Sequence, residues 1–326
     1  MAEVNLLGAV NLALRRAMTE DERVLVFGED VGVDGGVFRA TDGLLQAFGP
    51  RRVLDTPLAE TLIAGLAVGL AAQGFRPVAE IQFMGFIYAT LDQMINHASR
   101  LRTRTRGRLT CPMVLRAPYG GGIHAPEHHS ESTEALFAHV PGLRVVIPST
   151  PADAYGLLLS AIRDPDPVVF LEPKRLYRQV KEAVEDDGRG LPLDRCRVRR
   201  EGGDVTLVSW GAMMRETMAA AEALSGEGIS AAVIDVCTLK PLDADTILDS
   251  VARTGRLVIV HEAARTAGFG AEVAATVADA GLFDLKTPIV RVTGWDTVMP
   301  LPRHEASYLP DTARIVDAVR RVLAYD

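Results

Sequence analysis

The chain has 326 residues, 48% of them hydrophobic and 24% charged, with a formal net charge of −7 and a pI near 5.6. That length exceeds what one core usually supports, so two domains are expected, and the acidic balance excludes nucleic acid as the main partner, which needs a basic face. Three cysteines without C-x-x-C spacing, Cys111, Cys196 and Cys237, fit a reducing cytoplasmic compartment better than a disulfide framework or a zinc site.

No run approaches the roughly 20 apolar residues of a membrane span, and the opening stretch lacks the order of a signal peptide. That stretch, MAEVNLLGAVNLALRRAM, repeats Leu6, Leu7, Val10, Leu14, Ala17 and Met18 at helical spacing and predicts a docked amphipathic helix. Residues 24–27 are an apolar run breaking into Gly28-Glu29-Asp30. A parallel strand with acids at its carboxyl end has this layout; the acids are either ligand groups or a solvated turn. A short helix at 41–48 and a strand at 52–54 lead into DTPLAETLIAGLAVGLAAQG, residues 55–74. Here Asp55 or Thr56 is expected to cap a helix, with Pro57 in its first turn. Gly65 and Gly69 leave one side bare for the close approach of another backbone. Glu60 is the one ionisable group on that helix, either a partner of the helix dipole or a reagent.

A strand at 77–83, PVAEIQF, precedes a longer helix at 86–102 that ends in TRTRGR. The strand at 113–116 opens into APYGGGIHAPEHHSES, whose three glycines let the backbone bend toward a ligand without forming G-x-G-x-x-G. His124, His128 and His129 fall within six residues. Adjacent histidines point in different directions and no third ligand has metal spacing, which disfavours zinc. Ser130 and Ser132 are placed to cap a helix near Thr133. A strand at 142–148, a helix at 153–163 and a strand at 167–171 complete an alternation read as a doubly wound parallel α/β sheet. The polar stretch 174–204 reads as a crossover, after which strands and helices alternate again to residue 323. His261, Glu262 and Asp296 stand at strand ends there, with structural roles expected. No G-x-S-x-G, P-loop lysine or H-E-x-x-H occurs, which removes three common hydrolase and nucleotide chemistries.

GEDVG (28–32), DTPLAE (55–60), EIQF (80–83), EHHSES (127–132), PGLRVV (141–146), SAIRDPDPVVFLEPKRLYR (160–178) and KTP with RVTGWDT (286–297) run in order along the chain. Together they resemble the beta subunits of thiamine-diphosphate-dependent 2-oxo acid dehydrogenases. FLEPKRLYR and EHHSEST resemble the branched-chain (2-oxoisovalerate) type; pyruvate-specific members share most of the rest. Phe86 departs from the Tyr frequent in branched-chain relatives.

The resemblance implies a pyrimidine-binding domain at 1–180, a linker at 181–204 and a transketolase C-terminal-like domain at 205–326. It implies an α2β2 heterotetramer with an alpha subunit, thiamine diphosphate shared between the chains, and Mg²⁺ held by alpha. The absence of any G-D-G in this chain agrees, because that motif holds the metal and diphosphate. By resemblance Glu60 faces the aminopyrimidine nitrogen, Leu58, Gln82 and Phe86 contact the ring, and Glu29 lies on a proton relay. His129, with His128 adjacent, serves acyl transfer to a lipoyl group of the acyltransferase core, which docks on the C-terminal domain ending AYD. Met113, Ala161, Ile162, Asp164 and Asp166 align with a structural potassium site. The implied reaction is oxidative decarboxylation of branched-chain 2-oxo acids (2-oxoisovalerate) with reductive acylation of lipoyl groups, with a pyruvate dehydrogenase subunit or a catalytically silent docking subunit as the alternatives.

Overall fold

The computed structural model describes residues 2–325; Met1 and Asp326, the last residue of AYD, lie outside the described residues. The chain divides into two compact units, one of residues 1–119 and 136–193, the other of residues 120–135 and 194–326.

In the first unit, β1 (Ala2–Asn5) pairs antiparallel with β8 (Lys181–Val184). The start of the chain is therefore extended, and the amphipathic helix α1 (Leu6–Glu20) begins only where Asn5 accepts the Gly8 N–H. Its buried side is the one the periodicity marks: Leu6, Leu7, Val10, Leu14, Ala17 and Met18. It packs on α6 (Pro151–Arg163). Then come β2 (Val24–Gly28), α2 (Leu44–Phe48), β3 (Val53–Asp55), α3 (Glu60–Ala72) and β4 (Arg76–Glu80). The short helix α4 (Leu101–Arg104), β5 (Val114–Tyr119), α5 (Glu134–Ala138), β6 (Arg144–Val146) and β7 (Val168–Pro173) complete the set. Six strands lie side by side in the order β6-β7-β5-β4-β2-β3, every pair parallel. β2, β5 and β7 are buried along their whole length; β2 reads as an apolar run for that reason, whereas β5 carries Arg116 and β7 carries Glu172.

This order positions the site. The chain leaves β2 to one side to form β3, and α3 carries it back to the other side to form β4. The carboxyl end of β2 is thus a topological switch point, where a parallel sheet opens a crevice for ligand.

Two local expectations change. The segment 86–102 is not one helix: 3₁₀ turns at Met84–Thr90 and Ala98–Arg100 flank a π-turn at Gln93–His97. Thr90 Oγ1 donates to the Ile87 carbonyl and Ser99 Oγ to that of Ile95, back-bonds that bend a helix. The helix after β3 starts at Glu60, with Ala59 as an N-cap lacking a side-chain bond. Asp55 does not cap it, because its two oxygens accept the amides of Gly32 (2.6 Å) and Val33 (3.1 Å) instead.

The second unit contains β9 (Arg197–Arg200), β10 (Val205–Ser209), α7 (Met213–Gly226), β11 (Ala231–Asp235), β12 (Thr238–Lys240) and α8 (Ala244–Thr254). β13 (Leu257–His261), α9 (Gly270–Ala280), β14 (Val290–Thr293), α10 (Glu305–Tyr308) and α11 (Thr312–Leu323) follow. Its sheet runs β14-β13-β10-β11-β9, parallel except for the edge strand β9. Among the described residues, no helix is long and apolar enough to cross a membrane.

Candidate active site

Three neighbouring strands, β3, β2 and β4, each release a polar side chain at their carboxyl ends. Glu29 follows β2, Glu60 opens α3 after β3, and Gln82 lies two residues past β4. Gly28 is held so tightly against β4 that a Cβ there would meet the Glu80 carbonyl at 2.5 Å; only glycine fits. The chain then reverses through Asp30 at φ +58°, and Gln82 Nε2 donates to Asp30 Oδ2 at 2.9 Å. Asp55, through the Gly32 and Val33 amides, fixes the rest of this turn.

Glu29 is 7% exposed, and its Oε1 is buried without a hydrogen-bond partner among the described residues. Burial raises its pKa above the ordinary carboxylate value, and the charges of Glu60 and Asp30 raise it further. A bond from the Ala59 amide opposes the shift. The fold therefore brings the Glu60 charge to bear on Glu29 across 31 positions of sequence, and this repulsion favours the protonated form of Glu29. Glu60 also sits in the first turn of α3, where the helix dipole stabilises its charge. A carboxyl group kept toward neutrality beside a second carboxyl group can hold and pass a proton.

Directly after Gln82 in the chain, Phe83 packs edge-on against Phe38 and Phe86, with ring centroids 5.4 and 5.7 Å apart. Leu58 is 81% exposed just before α3, next to an open surface that includes Leu62 and Leu66. Gly65 faces Gln93 of its own unit, whereas a Cβ on Gly69 would meet nothing within 4 Å. A carboxyl pair, an amide and aromatic walls suit a flat, weakly basic heterocycle. The orphaned Glu29 oxygen fits a site that expects a further polar group.

The residues aligned with a cation site are engaged by arginines. Arg76 Nη1 donates to the carbonyls of Ile162 (2.7 Å) and Asp164 (3.3 Å), and Arg144 pairs with the Asp164 carboxylate at 2.9 Å. Arg102 holds Asp166 at 2.7 Å, and the Met113 carbonyl accepts the Val168 amide. Ala161 is buried in α6. These arginines place positive charge beside the aligned carbonyls and carboxylates.

The histidine loop belongs to the second unit. Gly120 and Gly122 have φ near +87°, and His124 has φ +59°, conformations that permit its tight course. Two buried carboxylates hold it. Glu262, just past β13, accepts the Gly121 amide at 2.9 Å. Glu305, on α10, accepts the amides of Gly122 (2.7 Å) and His124 (3.0 Å) and lies 3.1 Å from His124 Nδ1. The exposed His124 ring is therefore a structural contact. His128 and His129 form a 3₁₀ turn, His128 exposed and His129 half-buried, with Ser130 closing the turn onto the Ala125 and Pro126 carbonyls. Among the described residues the three histidines form no metal-ligand cluster.

At the end of this loop Glu134 is fully buried and accepts the Trp210 indole N–H at 3.2 Å. Burial pushes its carboxyl up to about 8, with the Glu262 charge adding. Trp210 stacks on His261 at 5.2 Å, and burial pushes that imidazole down to about 3. Sequence reasoning passed over Glu134 and Glu305 and gave Glu262 a structural role. No local pattern announces a loop clamp whose partners are 141 to 183 positions apart.

The sheets and strand-end acids define a transketolase-type chain, and comparison with known families agrees. Residues 2–180 match the family described as "Transketolase, pyrimidine binding domain" and residues 194–315 that described as "Transketolase, C-terminal domain". A solved structure described as a split-gene transketolase, inactive beta4 tetramer, superimposes with a TM-score of 0.82 at 25% identity over 99% of each chain. The pyruvate dehydrogenase E1 component subunit beta of Bacillus subtilis is 49% identical over all of both chains. That of Acholeplasma laidlawii is also 49% identical, over 99% of this chain and 98% of its own. The chain belongs to the beta-subunit family of the 2-oxo acid dehydrogenases.

Proposed function

We propose that this chain is the beta subunit of a pyruvate dehydrogenase, contributing the aminopyrimidine half of a thiamine diphosphate site completed by an alpha subunit. The observation that carries the reading is end-to-end similarity, at nearly half identity, to chains named as pyruvate dehydrogenase beta subunits. Those relatives favour the pyruvate alternative over the branched-chain reading of FLEPKRLYR and EHHSEST, as does Phe86.

When bound, thiamine diphosphate supplies the electron sink for decarboxylation. Glu60 would hold a proton at the aminopyrimidine ring nitrogen, in a position where excluding water strengthens the contact. Glu29, shifted toward neutrality by burial and by Glu60, would store and relay that proton. Gln82 would orient the ring, and Leu58 and Phe86 would cover its faces. His129, or its neighbour His128, would exchange a proton with the acyl acceptor, a lipoyl group of an acyltransferase core.

The exposed Leu58, Leu62 and Leu66, the open side of Gly69 and the missing G-D-G support an obligatory alpha partner in an α2β2 assembly. Mg²⁺ would be held by that partner. Free Cys111, Cys196 and Cys237 support a cytoplasmic setting.

The test is to co-purify the chain with its alpha subunit and compare kcat/KM for pyruvate and 2-oxoisovalerate. Preference for pyruvate is expected; preference for 2-oxoisovalerate would restore the branched-chain assignment. Absence of decarboxylation with either acid would leave the docking role alone standing.

A further inference from the structure

The carboxyl end of β14 opens on a cavity of about 300 Å³ that the proposed reaction leaves unused. Arg265, Arg291, Arg314 and Arg321 line it, opposed by Asp296 and Asp317, with Trp295 alongside.

The arginines are braced. Arg265 Nη1 donates to the Arg291 carbonyl (3.1 Å) and Arg291 Nη1 to the Arg265 carbonyl (3.0 Å), which holds their segments side by side. Arg314 donates to the carbonyls of Thr293 (2.6 Å) and Tyr308 (3.3 Å) and lies 4.8 Å over the Trp295 ring. The indole N–H is fixed on the Ser307 carbonyl, while the residue stays 55% exposed. The acids are already committed: Asp296 accepts the Thr266 amide and hydroxyl, both at 2.8 Å, and Asp317 pairs with Arg321 at 3.3 Å.

Four cationic groups thus converge against two anionic ones. Burial works against the charge of Arg291 and Arg314, and Arg265 adds repulsion at Arg291. A guanidinium offers five N–H donors, and backbone carbonyls occupy only part of each set here. One carboxylate would leave most of these forks idle; linked phosphates match them, because each phosphate takes a bidentate guanidinium contact.

We infer that this cavity binds a nucleoside diphosphate, with its phosphates among Arg265, Arg291 and Arg321 and its base against the exposed part of Trp295. The volume lies at the lower end of small-molecule pockets, so the phosphates fill it and the nucleoside extends to the rim.

The test is calorimetric titration of ADP into the chain co-purified with its alpha subunit, with thiamine diphosphate and Mg²⁺ saturating so that the cofactor's own phosphate cradle is filled. Saturable binding is expected. Arg265→Met and Arg321→Met, both exposed positions, should each weaken it about tenfold. Asp317→Asn should tighten it by removing a competing charge, and Trp295→Ala should weaken ADP while leaving inorganic pyrophosphate unchanged. These readouts are binding heats, independent of turnover, so they stand or fall separately from the substrate assignment. No saturable heat, or equal affinity in an Arg265→Met/Arg321→Met double variant that melts like the parent, would overturn the site. Equal affinity for ADP in Trp295→Ala would overturn the nucleoside assignment.

Discussion

Two groups of carboxylates in the first unit differ in one respect, the presence of a guanidinium. Glu80, at the end of β4, and Glu172, on β7, flank Arg116 of β5 at 2.8 and 2.6 Å, and the Tyr177 hydroxyl donates to Glu172 at 2.6 Å. All of these groups are buried. Burial opposes the Arg116 charge, yet Glu172 and Glu80 hold its pKa above the ordinary value. Glu29, at the adjacent strand end, instead faces the charges of Glu60 and Asp30 and one backbone amide. A carboxylate matched by an opposite charge is a brace; a carboxylate facing another carboxylate is a proton store. The contrast teaches which acids can do chemistry.

Glu60→Gln breaks that contrast on its reactive side. It should lower kcat for pyruvate by about 10²–10⁴-fold, the span of a lost acid–base group, while circular dichroism and assembly stay unchanged. Normal turnover in that variant would remove Glu60 from the proton path. Arg116→Met breaks the structural side by leaving two buried carboxylates unpaired. A loss of about 3–5 kcal/mol of stability is expected, read as a fall in denaturation midpoint. Little change would mean that the brace is not sustained in solution.

The clamp on the histidine loop stands between these extremes, since Glu262 and Glu305 accept backbone amides. Glu305→Ala orphans the Gly122 and His124 amides and should loosen residues 120–135. Two lost charge-assisted bonds predict about a tenfold fall in acyl transfer to lipoyl acceptors and faster protease cleavage in the loop, with Glu305→Gln intermediate. Decarboxylation measured with an artificial electron acceptor should fall less. Equal losses in both half-reactions would place the effect on general folding and not on the loop.

Much of this was legible from the order of residues, for a physical reason. Parallel strands buried on both faces are mostly apolar, so unpaired acids gather where strands end, and Glu29 and Glu60 stand out at once. Their repulsion was not legible, because it depends on β3 and β4 flanking β2. The start of α3 was misjudged because Asp55 looked like a local cap, while amides 22 and 23 residues away outcompete the helix for it. The break within 86–102 comes from Thr90 and Ser99 bonding back to the chain, a choice that apolar spacing does not reveal. Glu305 was invisible because its loop is remote in sequence and its own surroundings, RHEASYLP, carry no motif.

A pH-dependent effect is expected from Glu134, the buried acid that accepts the Trp210 indole N–H. Its carboxyl is pushed up to about 8 by burial, so the folded chain keeps a proton that the unfolded chain releases above about 4.5. Stability from this group is therefore whole at low pH and falls as pH rises between those values, by at most about 1.4 kcal/mol per pH unit. His261 works in the opposite direction. Its folded pKa of about 3 leaves it neutral while the unfolded imidazole charges below about 6.5, so its contribution rises with pH from 3 to 6.5 and is flat above. Between pH 6.5 and 8 the Glu134 effect is thus separable. Glu134→Gln keeps an oxygen for Trp210 and has nothing to ionise. Its melting temperature should match the parent near pH 5 and exceed it near pH 9. A parent-to-variant difference independent of pH would mean that Glu134 is already ionised in the folded chain, a brace like Glu172 and not a held proton.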